Sequence, residues 1–171
     1  MADAGVLDAL LKALDDPGGT VRFSLVGALA RAAGDGRCLP PEQRQRVLAR
    51  LEGLLLRDPD PGVRGRAATV LGECAPPALL GTLWRCVLAS EEGRVQEKAW
   101  SAFVEVIARS GRLELLEEWE HTLASAHQGP RRLQLLGEVT ERWQKRPETK
   151  ALAARAQEAL VQAQLDLGKW A

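Results

Sequence analysis

The fold is decided by the stretch Asp58-Pro-Asp-Pro-Gly-Val-Arg64, which lies between two apolar patterns of helical period. A close copy, Asp16-Pro-Gly-Gly-Thr-Val-Arg22, precedes it by 42 residues, and a weaker copy, Ser90-Glu-Glu-Gly-Arg-Val-Gln96, follows 32 residues later. Pro and Gly in these stretches end one helix, and a second helix begins near the Val. A helix–turn–helix unit that recurs in this way predicts a right-handed α-solenoid of antiparallel helix pairs.

The helices that follow the three turns align residue by residue. Apolar residues recur at the Val and again four, seven, eight and eleven positions later, which is one face of a helix. The aligned columns are Val21, Val63 and Val95; Leu25, Ala67 and Ala99; Ala28, Val70 and Ala102; Leu29, Leu71 and Phe103; and Ala32, Cys74 and Val106. We predict that this face forms the core.

The same pattern divides the whole chain into about four helix pairs and a final helix. The predicted units are 4–34, 40–75, 77–110 and 112–146, followed by a terminal helix at 147–168. The fourth unit lacks the Val-Arg signature, and the terminal helix has no partner after it, as expected of a C-terminal capping helix. We therefore predict a single all-α domain over 1–171.

Composition supports the helical fold and narrows the function. Helix-forming Ala, Leu, Arg, Glu and Gln are abundant, whereas the chain has five Trp, two Phe and no Tyr. The 23 basic and 23 acidic residues cancel, so the chain lacks the basic excess with which nucleic-acid binders neutralise phosphates. We expect a protein or peptide partner and not a nucleic acid.

The cysteines and the hydropathy pattern indicate the cellular setting. The three cysteines have no C-x-x-C spacing, so neither a disulfide framework nor a zinc site is predicted. No stretch approaches the roughly 18 apolar residues of a membrane span. We expect a reducing, cytoplasmic setting without membrane insertion or cofactor. The excess of Arg over Lys indicates a G+C-rich bacterial genome.

With the turn-Val-Arg motif in place, the chain resembles HEAT-repeat proteins over roughly residues 4–145, especially the short bacterial kind related to phycobilin-lyase-type repeats. The resemblance implies a ladder in which a turn Asp and the Arg after the Val join neighbouring units. The matching residues are Asp16, Val21 and Arg22 in the first copy and Asp58, Val63 and Arg64 in the second. The third copy offers Glu91 or Glu92 and Gln96, so the ladder is expected to weaken there. Because the motif recurs, we interpret it as framework.

The resemblance also implies a binding face, because the second helices of HEAT-like pairs line a concave surface. The non-core columns on those helices are Ser24, Arg66 and Lys98; Gly27, Thr69 and Ser101; and Arg31, Glu73 and Glu105. Small residues between charges of both signs predict a shallow trough that suits a peptide or a protein helix. The alternative is an ordinary solvated face.

Trp100 replaces Val26 and Ala68 of the other copies. It is either an exposed anchor, since Trp is enriched at binding hot spots, or a side chain packed against the next pair. The other tryptophans divide into a core group and an ambiguous one. Trp84, Trp119 and Trp143 lie on apolar stripes and are predicted to be core, whereas Trp170 either folds back or contacts another chain.

Arg131 and Arg132 lie at a predicted helix start, where the helix dipole favours negative charge. This placement indicates a contact with an anion or an acidic partner. The alternative is internal pairing with a nearby Glu-rich face. That face comprises Glu114, Glu117, Glu118 and Glu120.

The sequence offers little for catalysis. The two histidines form no Ser-His or Cys-His arrangement, and Glu117 and His121 are too few ligands for a metal site. We predict a non-enzymatic protein-binding or scaffolding module. Its predicted partner contacts are Arg31, Arg66, Glu73, Lys98, Trp100, Glu105, Arg131 and Arg132.

The resemblance leaves two other functions open. Some HEAT-like proteins are DNA glycosylases for alkylated bases, and Trp100 and Glu105 with Arg131 and Arg132 imitate their aromatic, acidic and basic residues. The neutral net charge argues against this activity. The other function is that of a bilin lyase or chaperone, which the repeat type resembles.

Overall fold

A computed structural model describes residues 4–34, 39–89 and 92–168. These residues form α-helices and 3₁₀ turns, and no strand occurs among them. The helices are α1 (Ala4–Ala13), α2 (Gly19–Gly34), α3 (Pro41–Arg57), α4 (Pro61–Cys74), α5 (Leu80–Ala89), α6 (Gly93–Ser110), α7 (Leu113–Ser125), α8 (Gly129–Gln144) and α9 (Lys150–Gly168). The predicted all-α class is confirmed. Cys38, Glu91 and Trp170 lie outside the described residues, as does the side chain of Arg31.

The helix boundaries follow the turn chemistry of the sequence. Pro41 and Pro61 open α3 and α4 in the first turn, where a proline loses no helical hydrogen bond. Asp60 caps α4 by accepting a hydrogen bond from the backbone N–H of Gly62 at 2.7 Å. The 3₁₀ turns Pro77–Leu79 and Pro147–Thr149 lead directly into α5 and α9.

The chain divides into two compact units, Met1–Val106 and Ile107–Ala171, and the division falls inside α6. In the first unit, α2 and α3 both pack against α4, and α1 packs against α2. In the second unit, α8 packs against α7 and α9. The single repeat domain over 1–171 stays a prediction.

The aligned apolar columns contribute to the core of the first unit. The second and third copies are buried at every aligned position: Val63, Ala67, Val70, Leu71 and Cys74, and Val95, Ala99, Ala102, Phe103 and Val106. The first copy departs from this pattern. Leu29 is buried and Leu25 is half-buried, but Val21 is 45% exposed. The core prediction for Val21 is wrong, because no described residue covers it as Val63 is covered.

Trp100 is buried in an aromatic cluster of the first unit. Its ring stacks on Phe103 with centroids 5.7 Å apart and meets Trp84 edge-on at 6.5 Å. Such pairs stabilise a core beyond the area that they bury. Trp100 is therefore a packed side chain, and the prediction that it is an exposed partner contact is wrong. Trp84, predicted to be core, is half-buried.

Trp143 is the corresponding anchor of the second unit and is fully buried, as predicted. Its Nε1–H donates a hydrogen bond to the carbonyl of Ala108 at 2.8 Å. Its own carbonyl accepts a hydrogen bond from the hydroxyl of Thr149 at 2.9 Å. Trp143 thus links α8 to Ala108 of α6 and to Thr149 in the turn before α9. Trp119 is half-buried.

Candidate functional site

Arg22 joins two turns of the first unit through a buried ion pair with Asp58. Its Nε and Nη2 each donate to one carboxylate oxygen of Asp58 at 2.8 Å. Its Nη1 donates to the carbonyls of Asp16 at 2.8 Å and Pro17 at 3.0 Å. A planar guanidinium suits this bidentate geometry. The side chain therefore fixes the turn before α2 to the turn before α4.

The same bonds recur in the second copy of the motif. Arg64 Nη1 donates to the carbonyls of Asp58 at 2.6 Å and Pro59 at 3.3 Å, as Arg22 does one copy earlier. Its Nη2 contacts the carboxylate of Glu92 at 2.6 Å. The Glu92 side chain is 49% exposed, against 2% for Asp58. We call each of these ion pairs a rung of the ladder. The second rung, Arg64 with Glu92, is weaker than the first, Arg22 with Asp58, because water screens it.

The electrostatic surroundings of the first rung keep both Arg22 and Asp58 charged. Burial alone would raise the pKa of Asp58, but hydrogen bonds from Arg22 and the backbone of Asp60, together with the charges of Arg22 and Arg64, lower it below the ordinary value. The hydrogen bond to Asp58 raises the pKa of Arg22. Both groups are therefore held in internal contacts, which supports their interpretation as framework.

A shallow groove of about 190 Å³ lies between α4 and α6. Its lining residues are Thr69, Gly72, Glu73, Lys98, Ser101, Ala102 and Glu105. The structure thus brings together three of the predicted partner contacts, Glu73, Lys98 and Glu105, with the small residues Thr69 and Ser101 between them. The floor of the groove is small and uncharged, and its ends carry opposite charges.

The floor exists because α4 and α6 approach closely at Gly72, a residue that the column alignment did not single out. A Cβ placed on Gly72 would lie 2.9 Å from the Cα and 3.1 Å from the Cβ of Ala102. Real Cβ atoms do not approach backbone so closely, so only glycine allows this spacing. The sequence signal was the small pair itself, Gly72 opposite Ala102.

Substituting Gly72 with Ala should push α4 and α6 apart. We expect the free energy of unfolding to fall by about 1–2 kcal/mol, because the clash outweighs the better helix propensity of Ala. Gly65→Ala on the same helix is the matched control, since its Cβ would meet only the Lys98 side chain at 3.6 Å. That control should gain about 0.5–1 kcal/mol. Urea denaturation measures both, and equal effects would contradict the close approach.

Arg66 extends the charged surface from α4 towards α2. Its guanidinium carbon lies 5.7 Å from the ring centroid of Phe23, within cation–π range. A Cβ at Gly27 would lie 3.2 Å from Arg66 Nη2, so the glycine leaves room for the arginine. Arg66 Nε is buried without a hydrogen-bond partner among the described residues. Phe23, which the sequence pattern did not indicate, is 45% exposed.

The charged residues of this face form two rows. Arg66 and Lys98 lie seven residues before Glu73 and Glu105 on α4 and α6. At 1.5 Å per residue, the backbone positions of the basic row and of the acidic row are about 10 Å apart along each helix. We call the surface formed by Arg66, Lys98, Glu73, Glu105 and the groove floor the α4–α6 face.

In the second unit, Arg132 is engaged internally. It pairs with Glu120 of α7, and its Nη1 lies 3.6 Å from the carboxylate of Asp166 on α9. Arg131 Nη1 donates to the side chain of Gln134 at 2.9 Å. Arg132 is therefore paired within the protein, and the prediction that it contacts an anion or an acidic partner is wrong. A carboxylate from each neighbouring helix offsets the unfavourable dipole.

Other candidate chemistry is accounted for locally. Burial raises the pKa of the Cys86 thiol, which makes it a poor nucleophile at neutral pH. His127 has φ 56° and forms the left-handed residue that ends α7. Glu117 lies 3.7 Å from Arg155. Within the described ranges, no group of three or more His, Cys, Asp or Glu side chains could hold a metal ion.

No described helix combines the length and the apolar character that crossing a membrane requires. Comparison with known proteins adds no relative: no family model matches the chain, and neither a curated protein nor a solved structure does.

Proposed function

We propose that this protein is a non-enzymatic protein-binding module that holds a helical segment of its partner on the α4–α6 face. The observation that carries the proposal is the groove itself, which combines a floor of small residues with Lys98, Glu73 and Glu105. Most of this face is preformed by helix packing, so little ordering entropy is lost on binding.

The proposed scaffold is a HEAT-like α-solenoid in a reducing, cytoplasmic setting. Two successive Arg rungs support the solenoid, because Arg22 and Arg64 make the same carbonyl contacts one copy apart. The burial of aligned columns in the second and third copies supports it further. Cys74 and Cys86 are buried thiols, as suits the proposed setting.

The spacing of the charged rows suggests the form of the partner. An α-helix with its side chains is about 10–12 Å wide, close to the separation of the two rows. A helix lying across α4 and α6 would meet Arg66 and Lys98 along one flank and Glu73 and Glu105 along the other. The proposed partner helix therefore carries acidic residues on one side, basic residues on the other and small residues between.

The experiment places a photo-reactive amino acid at Ser101, which is exposed on the groove. Cross-linked partners are recovered from cells and compared with those from the same protein carrying Arg66→Glu and Lys98→Glu. We expect the double reversal to reduce the cross-linked yield at least tenfold, because it turns attraction of the acidic flank into repulsion.

Lys150→Glu is the matched control, since Lys150 is an exposed lysine at the start of α9 and belongs to the second unit. It should leave the cross-linked yield unchanged. Lys98→Glu alone separates binding from folding, because Lys98 is exposed and circular dichroism should show no loss of helix. An unchanged set of partners with the double reversal would contradict the proposal.

The two alternative activities predict different results with the unmodified protein. A glycosylase would bind a duplex containing an alkylated base at low salt, whereas we expect no change in fluorescence anisotropy. The buried Trp100 could stack on a base only by leaving its cluster with Phe103. A bilin lyase would shift the absorbance of an added bilin, and we expect no shift. A positive result in either assay would replace the proposed function.

A further inference from the structure

The turns before α2 and α4 have the same local hydrogen bonds, but an arginine pairs with the aspartate of only the second turn. Asp16 Oδ1 accepts the backbone N–H of Gly18 at 2.7 Å, and Asp58 Oδ1 accepts that of Asp60 at 2.9 Å. The carboxylate of Asp58 also receives the two hydrogen bonds of Arg22. Among the described residues, no cationic side chain pairs with the Asp16 carboxylate. Asp16 thus has the turn geometry of Asp58 but lacks the arginine that pairs with Asp58.

An apolar position next to this carboxylate is equally uncovered. Val63 and Val95 are buried, whereas Val21, the aligned residue of the first copy, is 45% exposed. Val6 of α1 is also exposed. The outer face of the pair α1–α2 therefore carries a turn aspartate without a cationic partner and, five residues later, an exposed valine. The equivalent residues of the pair α3–α4, Asp58 and Val63, are paired and buried.

We propose that this outer face, defined by Asp16 and Val21, binds a helix pair of another protein that presents an arginine. The guanidinium takes the place on Asp16 that Arg22 takes on Asp58, and an apolar side chain covers Val21. This surface is separate from the α4–α6 face and does not depend on the function proposed for it.

In the described residues, a second copy of this chain offers no motif arginine that is free to bind Asp16. Arg22 is held by Asp58 and Arg64 by Glu92, so neither can reach across to a neighbouring molecule. The third copy carries Gln96 at this position, and its amide donates to the carbonyl of Val87. No copy of the motif in the described ranges thus offers an uncommitted arginine.

The test supplies the missing rung in cis. Residues 4–45 are duplicated in front of residue 4, so that the added Arg22 precedes Asp16 of the original copy by 36 residues, the separation of Arg22 and Asp58 in the natural chain. Hydrogen exchange reports the opening of the added pair. We expect its amides to be protected, and Asp16→Asn in the original copy to increase its opening about tenfold.

Arg22→Gln in the added copy should have a similar effect, and the two changes together should be no worse than either alone. In the unextended protein, Asp16→Asn should change the unfolding equilibrium less than about threefold, because Asn keeps the turn bond. An unprotected added pair, or equal effects of Asp16→Asn in both proteins, would overturn the proposal.

Sedimentation of the unextended protein tests the occupant. We expect a sedimentation coefficient independent of protein concentration, with and without Val21→Asp. Concentration-dependent association that Val21→Asp abolishes would overturn the proposed heterologous partner in favour of a second copy.

Discussion

Replacing Asp58 with Asn is expected to lower the free energy of unfolding of the first unit by about 3 kcal/mol. The variant keeps the shape of the side chain but removes the charge that faces Arg22. A buried guanidinium then loses its paired carboxylate, which costs more than the loss of an ordinary hydrogen bond. Urea denaturation followed by circular dichroism measures the change.

Asp16→Asn is the matched control for this prediction. Asp16 occupies the position in its own turn that Asp58 occupies in the next, and it accepts the same kind of bond from a backbone N–H. No arginine side chain pairs with its carboxylate in the described part of the chain. We expect its substitution to change stability by no more than about 0.5 kcal/mol. Equal losses for the two variants would show that the turn, and not the ion pair, supplies the stability.

The same rung predicts an acid-labile first unit. The pKa of Asp58 is lowered in the folded protein, so its stabilising effect is fully present above the pKa of an unfolded aspartate, about 3.9. It is lost progressively as the pH falls towards the folded value. Asp58→Asn removes this dependence, so the stability difference between the two proteins should shrink below about pH 4. A constant difference from pH 7 to pH 2 would contradict this.

Replacing Trp143 with Ala is expected to destabilise the second unit by about 3–5 kcal/mol. Trp143 is the largest fully buried side chain among the described residues, and its removal leaves a cavity that the helices cannot close without moving. It also leaves the carbonyl of Ala108 without the indole donor. Hydrogen exchange of amides in α8 and α9 locates the loss in this unit.

Trp143→Phe separates the two effects in this core. It keeps most of the apolar volume and removes the indole N–H, so the loss should be about 1–3 kcal/mol. If the Phe and Ala variants were equally unstable, the hydrogen bond to Ala108 would outweigh the packing of the ring. If neither changed the exchange of α8, Trp143 would not anchor this unit.

Much of the secondary structure could be predicted because it depends on local chemistry. The predicted unit 40–75 corresponds to α3 and α4, and 77–110 to the Pro77–Leu79 turn, α5 and α6. Pro, Gly and Asp act within a few residues of the chain, so their effects can be identified without the fold. The Arg ladder was predicted from the resemblance that the turn-Val-Arg motif carries, and the repetition of the motif indicated a structural role.

The candidate site was predicted only in part. Glu73, Lys98 and Glu105 were placed by column, and the structure brings them to one groove. Trp100 and Arg132 were misplaced as partner contacts because their neighbours come from other helices. The edge-on contact of Trp100 with Trp84 of α5 and the pairing of Arg132 with Glu120 of α7 depend on how the helices pack. Phe23 and Gly72 gave no repeated signal.

The sequence by itself determined the all-helical class, the turns and the residues that form the rungs, because each is specified by neighbouring residues or by repetition. Only the tertiary structure decided which of these equivalent residues are satisfied. Asp16 and Asp58 occupy equivalent positions in two turns, yet the Asp58 carboxylate is bonded to Arg22 and the Asp16 carboxylate is not. The physical reason is that burial and pairing depend on what lies beside a helix, which the helix's own sequence does not encode.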